Sequence, residues 1–425
     1  MSDTFCPIPF RHLNLKTVGV VNACWRGFRN QPVGDYSKDT LLDIWNNQNY
    51  KKLRLDLLNN NKPAHCTGCW RQEENGEKSV RQRQLEDPFW KNTQLDYTKL
   101  VEPDGTMPNS SLEFIEIRFD NTCNLMCRHC MPEYSTNWNT ALKKDKHFSE
   151  QMKKFSMEQI EDIQPLSEKN IDDIIALAPS LKLIRVSGGE PLYTQKHFEL
   201  LEKLQPYAKN IQIEYNSNFH ALNYKHYNTL DLWKNFKKVI VRISIDGEPT
   251  MYDYLRVNGK IDNIKNNIKE AQKLDNIGLM GTMTASMFNV TRLIKIIEFY
   301  TGLGIYFHSS NVVSPYFLDP QVLPSYMKER LTNDFLEWTN EDMEQRIQTL
   351  DVNKHLKIEP AIFFIKKFGN HIIEHMNSKD MFEYNFEKFI DYANVLDKKL
   401  NTNFNDVYPE YTSNYKYIKY FAKKG

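Results

Sequence analysis

Cys123, Cys127 and Cys130 fall within one stretch of eight residues, spaced CxxxCxxC, at the end of a predicted strand. Thiolates are soft ligands that suit iron–sulfur clusters or zinc. Three of them on one loop can wrap a small cluster. A cubane cluster has four irons, so three thiolates leave one iron open to another ligand, much as a catalytic zinc keeps an open position. The simpler alternative is a structural zinc that borrows a fourth ligand, such as His129. A second group, Cys6, Cys24, Cys66 and Cys69, lies in the first 70 residues, and no cysteine follows Cys130. Cys66-Thr67-Gly68-Cys69 is a CxxC on a turn, and Cys6 and Cys24 complete four ligands. On spacing alone, zinc and iron–sulfur stand level there. The seven cysteines thus divide into four and three. None remains as a free acid or hydrogen donor, so any such group is Tyr, Asp, Glu or His.

The elements that must position these residues follow from periodicity. Ile115, Ile117 and Phe119 share one face of a strand over Phe114–Phe119. Ile171, Ile174, Ile175 and Ala178 mark a helix face. Leu181–Val186 is a short apolar strand that runs into Ser187-Gly188-Gly189-Glu190-Pro191. Ile211–Tyr215 is a strand ending at Asn216-Ser217-Asn218. Val239, Val241, Ile243 and Ile245 alternate with Arg242, Ser244 and Asp246 until Gly247 stops the run. Gly278–Thr284 is a further strand, and a helix follows over about Val290 to Thr301. Strands alternating with helices argue for a parallel sheet or barrel. The polar strand ends then collect on one rim, where active sites of parallel barrels form. Beyond about Pro324 the chain reads helical and polar. Residues 78–111, with Pro88, Pro103, Gly105 and Pro108, read as a connector whose first part is helical.

Composition excludes several classes. The apolar fraction of 40% and charged fraction of 26% are ordinary for a globular protein. A net charge of +1 gives no field to recruit nucleic acid or anionic lipid. Apolar runs such as Ala361–Ile365 are too short to span a bilayer, and Met1–Lys16 lacks a signal-peptide apolar region. The expectation is a cytoplasmic protein whose cysteines favour metal over disulfides. The Lys- and Tyr-rich tail from Tyr415 to Lys424 reads as a solvated end. Trp25, Trp45 and Trp70 read as packing residues.

Cys123-Asn124-Leu125-Met126-Cys127-Arg128-His129-Cys130 resembles the cluster loop of the radical S-adenosylmethionine superfamily. Ser187–Pro191 is similar to that family's Gly-Gly-Glu segment. Asn216-Ser217-Asn218, Ser244-Ile245-Asp246-Gly247 with Arg256, and Asn289 resemble its later strand ends. The match covers roughly Ser111 to Ser314. The resemblance implies that Cys123, Cys127 and Cys130 ligate a [4Fe–4S] cluster whose open iron binds S-adenosylmethionine. It implies that Gly188, Gly189 and Glu190 hold the methionine end, that Asn218 and Ser244 contact the ribose, and that Arg256 pairs with the methionyl carboxylate. For Asn216, Asp246 and Asn289 a turn or cap role reads equally well.

Phe5-Cys6-Pro7, Val18–Cys24, Thr40–Asn46, Leu53-Arg54 and His65–Cys69 resemble a SPASM domain, or its shortened form, twitch. This implies an auxiliary [4Fe–4S] cluster on Cys6, Cys24, Cys66 and Cys69. Such domains usually follow the barrel; here the order is that of an N-terminal-twitch group. The expected fold is α/β, a partial (β/α)6 TIM-like barrel with a small Cys-rich N-terminal domain and a helical C-terminal extension. The expected divisions are 1–80 auxiliary domain, 81–110 linker, 111–320 barrel and 321–425 helical region. The expected activity is reductive cleavage of S-adenosylmethionine and hydrogen abstraction from a peptide or protein side chain. A low-potential donor such as flavodoxin or ferredoxin would supply the electron. A small-molecule or nucleotide substrate is the enzymatic alternative, and a zinc or cluster scaffold the non-enzymatic one.

Overall fold

A computed structural model describes residues 2–27, 31–76, 78–91, 97–312, 314–351 and 354–412. The Tyr415–Lys424 tail lies outside them. Among the described residues thirteen strands follow in chain order: β1 (His12–Leu15), β2 (Val20–Asn22), β3 (Gly34–Asp35), β4 (Phe114–Arg118), β5 (Met126–Cys127), β6 (Leu183–Ser187), β7 (Gln212–Ser217), β8 (Asn223–Tyr224), β9 (Tyr227–Asn228), β10 (Lys238–Ser244), β11 (Arg256–Val257), β12 (Ile277–Ala285) and β13 (Tyr306–Asn311). The chain divides into two compact units. The first comprises Met1–Asn121, Glu161–Tyr215 and Asn223–Ile240; the second comprises Thr122–Ile160, Asn216–Leu222 and Val241–Gly425.

In the first unit the strand order is β7-β6-β4-β1-β2-β3. β1, β4, β6 and β7 pair in parallel, while β1–β2 and β2–β3 are antiparallel. Leu13, Ile115, Ile184 and Ile213 are direct neighbours across this sheet and fully buried. Helix Glu168–Leu177 of the same unit buries Ile171, Ile174 and Leu177. It starts at a capping box of Ser167 and Asn170.

The second unit holds the order β13-β12-β10 and the antiparallel pair β11–β5. β12 and β13 are parallel over six residue pairs. Helix Ile358–Asn377 packs on β13, with the Phe307 and Phe368 rings 5.0 Å apart. Helix Phe382–Leu400 brings Phe389 against Phe288 at 5.1 Å and Phe404 at 5.5 Å. No helix among the described residues is long and apolar enough to cross a membrane. Trp45 and Trp70 are buried, and the Trp70 indole donates to Pro63 O at 3.2 Å, as packing residues do.

Three histidines link this fold to pH, His12 and His197 buried and His220 half-buried. Burial lowers His12 and His197 to about 3. Burial, with Arg256 nearby, lowers His220 to about 4. All three are neutral when folded and take up protons near 6.5 when unfolded. Their contribution is therefore complete above about pH 6.5 and is lost as pH falls toward 4. We expect the melting temperature to be flat from pH 8 to 7 and to drop steeply between pH 6.5 and 4. A flat profile through that window would contradict it.

Candidate active site

The three-cysteine loop belongs to the second unit, and its backbone is fixed from several sides. Cys127 on β5 pairs directly with Arg256 on β11. Arg128 N donates to Leu255 O at 2.9 Å. Helix Thr136–Lys144 presents its N-terminus to the loop: Ser135 Oγ donates to Leu125 O at 2.7 Å, Asn137 Nδ2 to Cys123 O at 3.2 Å, and Trp138 Nε1 to Cys127 O at 3.0 Å. Leu125 N donates to Cys123 Sγ at 3.4 Å. Such N–H donors to sulfur are one lever on cluster potential.

Arg128 anchors the loop from within. Its side chain is fully buried, with Nε donating to Tyr254 O at 2.7 Å and Nη2 lying 3.0 Å from Asp397. Its guanidinium stacks 3.6 Å from the Tyr254 ring centroid, and Tyr392 Oη donates to its carbonyl at 2.7 Å. The C-terminal helices thus brace the three-cysteine loop. Breaking a buried pair costs about 3–5 kcal/mol, so Asp397→Ala should lower the urea midpoint and release iron from the loop. An unchanged midpoint would show the pair to be dispensable.

Beside the loop lies a buried ion-pair cluster. Asp246 follows β10 in the left-handed region, φ +60°, which Asp tolerates better than most residues. Arg256 Nε donates to its Oδ2 at 2.9 Å, and Nη2 bonds the same oxygen. His129 Nε2 stands 3.2 Å away, and Thr284 N donates to Oδ1 at 2.6 Å. Burial alone would raise the Asp246 pKa, but Arg256 and His129 more than offset this and hold it well below the usual carboxylate range. Asn289 takes the turn role: its Nδ2 donates to Asp246 O and Thr284 O at 3.0 and 2.9 Å. Asn218 Nδ2 donates to Asn124 Oδ1, inside the cysteine loop, at 2.7 Å. His220 Nδ1 lies 3.2 Å from Asn218 O, and its Nε2 accepts from Lys260 N at 2.7 Å. That pattern fixes the neutral Nδ1–H tautomer. Ser244 ends β10, half-buried.

The structure therefore gathers Cys123, Cys127, Cys130, Asn218, Ser244 and Arg256 in the second unit. Arg256 engages Asp246 with its Nε–Nη2 edge, a partner the sequence did not assign to it. Gly188, Gly189 and Glu190 belong to the first unit. Gly188 has φ +122°, and a Cβ there would come within 3.2 Å of Asp120 O. Glu190 is buried and accepts from Leu192 N at 3.0 Å.

Cys6, Cys24, Cys66 and Cys69 line one pocket of the first unit, together with Asn22 and Arg81. Cys66 and Cys69 flank the start of helix Thr67–Glu74, where the helix dipole favours anionic thiolates. Arg81 binds Glu73 in a bidentate pair at 3.0 and 2.7 Å and donates to Asp3 O and Phe5 O, fixing the backbone before Cys6. Burial pushes the Cys24 and Cys130 thiols up to about 12 and raises Cys6 and Cys66 strongly. Mutual repulsion of the grouped thiolates adds to it. Such thiols ionise only with a cation beside them, which a bound metal supplies. All seven cysteines are free of disulfides. Among the described residues no three His, Cys, Asp or Glu side chains converge closely enough to share a single ion.

Residues 117–299 match the model of the radical SAM superfamily, and residues 6–70 that of an iron–sulfur cluster-binding domain, SPASM. The chain carries a radical SAM domain and, N-terminal to it, a SPASM domain. Its α/β fold, with mainly parallel strands and a helical C-terminal region, is the expected one, and S-adenosylmethionine and [4Fe–4S] clusters are its cofactors. The segment that contains the N-terminal cysteines matches an iron–sulfur cluster-binding domain. Similar proteins include GTP 3',8-cyclases of Helicobacter pylori. The one from strain ATCC 700392 / 26695 is 24% identical over 194 residues, 45% of this chain and 53% of that protein. The one from strain HPAG1 is 22% identical over 195 residues, 45% and 53%. The chain spans about half the length of these curated relatives. Similar solved structures include anSMEcpe with bound AdoMet, at 13% identity and TM-score 0.38 over 54% of this chain and 60% of that one. Streptococcus suis SuiB bound to precursor peptide SuiA is 14% identical, with TM-score 0.38 over 65% and 60%.

Proposed function

We propose that this radical SAM enzyme abstracts hydrogen from a side chain of a peptide or protein. The observation that carries the radical assignment to residues is the braced three-cysteine loop, in which Cys127 pairs in strand register with Arg256, the partner of the buried Asp246. Cys123, Cys127 and Cys130 ligate three irons of the S-adenosylmethionine-binding cluster; Cys6, Cys24, Cys66 and Cys69 ligate the auxiliary one. When bound, the first cluster supplies one electron to the sulfonium, giving methionine and a 5'-deoxyadenosyl radical that takes hydrogen from substrate. Arg256 receives the methionyl carboxylate on the guanidinium edge that Asp246 leaves, and Asp246 holds that edge in place. Asn218 and Ser244 receive the ribose, and Gly188, Gly189 and Glu190 the methionine backbone.

The SPASM domain supports a peptide substrate, since such domains accompany radical enzymes that act on peptides. Four thiols on the auxiliary cluster complete its ligation and favour electron transfer or structure over substrate coordination there. Flavodoxin or ferredoxin supplies the electron, in a reducing cytoplasm that keeps the cysteines free. The GTP 3',8-cyclase relatives favour a second reading, a nucleotide substrate. The test is turnover with candidate peptides and nucleotides bearing deuterium at carbon. Deuterium recovered in 5'-deoxyadenosine from peptides supports the first reading. Deuterium recovered only from a nucleotide would replace it with the second.

A further inference from the structure

Arg81 opens the segment expected to be a linker, beyond the residues 6–70 that match the SPASM domain. The structure nonetheless makes it a wall of the pocket lined by Cys6, Cys24, Cys66 and Cys69. It sits in helix Val80–Glu86, which starts at a capping box of Ser79 and Gln82. Its side chain is only 10% exposed.

Its contacts tie it to the cysteines from two sides. Nε and Nη2 donate to Glu73 Oε1 and Oε2 at 3.0 and 2.7 Å. Glu73 follows Cys69 by one turn on helix Thr67–Glu74. Nη1 donates to Asp3 O and Phe5 O at 3.0 and 2.9 Å, and Phe5 directly precedes Cys6. Cζ lies 5.2 Å from the centroid of the Trp70 ring, the residue after Cys69. Four of the five N–H groups of the guanidinium thus engage protein oxygens. What Arg81 offers the pocket is chiefly its charge.

That charge is close enough to act on the thiols. Arg81 interacts electrostatically with Cys6, Cys66 and Cys69. At Cys66 the pull of Arg81 exceeds the opposing push of Glu73, so the ion pair does not cancel there. A buried ion pair is a weak device for stability, since apolar residues of similar volume often serve as well. Beside an iron–sulfur cluster the same charges gain a second effect. Charge and hydrogen bonding around a cluster set its reduction potential. Reduction adds one negative charge to the cluster. A neighbouring cation therefore favours the reduced state, and a neighbouring carboxylate the oxidised one.

We propose that Arg81 and Glu73 tune the auxiliary cluster in opposite directions, Arg81 raising its reduction potential and Glu73 lowering it. The proposal rests on the reading that Cys6, Cys24, Cys66 and Cys69 hold that cluster. The test is a reductive titration followed by electron paramagnetic resonance, in the full chain carrying Cys127→Ala so that the auxiliary cluster alone is read. Arg81→Gln should lower the potential by about tenfold in the reduction equilibrium, which is about 59 mV for one electron. Glu73→Gln should raise it. Arg81→Lys keeps the charge and loses the planar fork, so its potential should stay close to that of the parent. Iron at about four atoms per chain and an unchanged far-ultraviolet circular dichroism spectrum check that each variant is loaded and folded. Anything but opposite shifts in the two Gln variants would overturn the proposal and leave the pair a structural brace. So would Arg81→Lys moving as far as Arg81→Gln. Should Arg81→Gln lose its iron, Glu73→Gln decides alone: a rise supports the proposal, and no rise overturns it. A parent chain that holds no iron–sulfur cluster would overturn the reading of the four cysteines, and the proposal with it.

Discussion

Cys127→Ala should leave a folded protein that cleaves no S-adenosylmethionine above background, a loss of roughly a thousandfold or more. At about 1.4 kcal/mol per tenfold, that corresponds to a barrier raised by about 4 kcal/mol. The fold should survive because the Cys127 backbone is held by others: its strand partner is Arg256 and its carbonyl accepts from Trp138. Iron should fall from about eight atoms per chain to about four, since four thiolates hold one cubane and Cys6, Cys24, Cys66 and Cys69 remain. The melting curve and far-ultraviolet circular dichroism check the fold; iron analysis and 5'-deoxyadenosine formation check the chemistry. Retained cleavage in this variant would remove Cys127 from the cluster.

Asp246→Ala should be the most destabilising single change near the site. It leaves Arg256, only 6% exposed, without its counter-ion, and takes the partner from His129. Breaking one side of a buried pair costs about 3–5 kcal/mol, a fall in melting temperature on the order of 10 °C for a unit of this size. S-adenosylmethionine binding should weaken with it, because Arg256 loses the contact that orients its guanidinium. A double variant, Asp246→Ala with Arg256→Met, should recover much of the stability and none of the binding. That split separates the structural role of the pair from its role toward the methionyl carboxylate. Full stability of Asp246→Ala alone would contradict the pairing.

The central strands were legible because their signals are local. The expected strands over Phe114–Phe119, Leu181–Val186 and Gly278–Thr284 appear as β4, β6 and β12, shifted by one or two residues. Alternation or continuous apolar runs bounded by Gly and Pro mark them well. β1 was not legible: His12–Leu15 is short, half polar, and gains its meaning from parallel pairing with β4 about 100 residues later. β13, Tyr306–Asn311, was missed for a related reason: its residues are mostly polar, and it is a strand because β12 and helix Ile358–Asn377 flank it.

The site shows the same division. The cysteine spacings and Gly188, whose left-handed backbone requires glycine, could be read directly. The role of Arg128 could not, since Asp397 and Thr402 lie some 270 residues away. The sequence pairs Arg256 with a ligand and does not reveal Asp246 as its protein partner, although Asp246-Gly247 and Arg256 belong to one resembling stretch. A buried counter-ion ten residues away depends on β10 ending in a left-handed turn.

The central claim is that this chain reductively cleaves S-adenosylmethionine at the Cys123–Cys130 loop. Anaerobic reconstitution with iron and sulfide, followed by dithionite and S-adenosylmethionine, measures it directly. The account predicts about eight irons per chain, two [4Fe–4S] clusters, and formation of 5'-deoxyadenosine and methionine in equal amounts. Two zincs bound, with S-adenosylmethionine left intact, would contradict it.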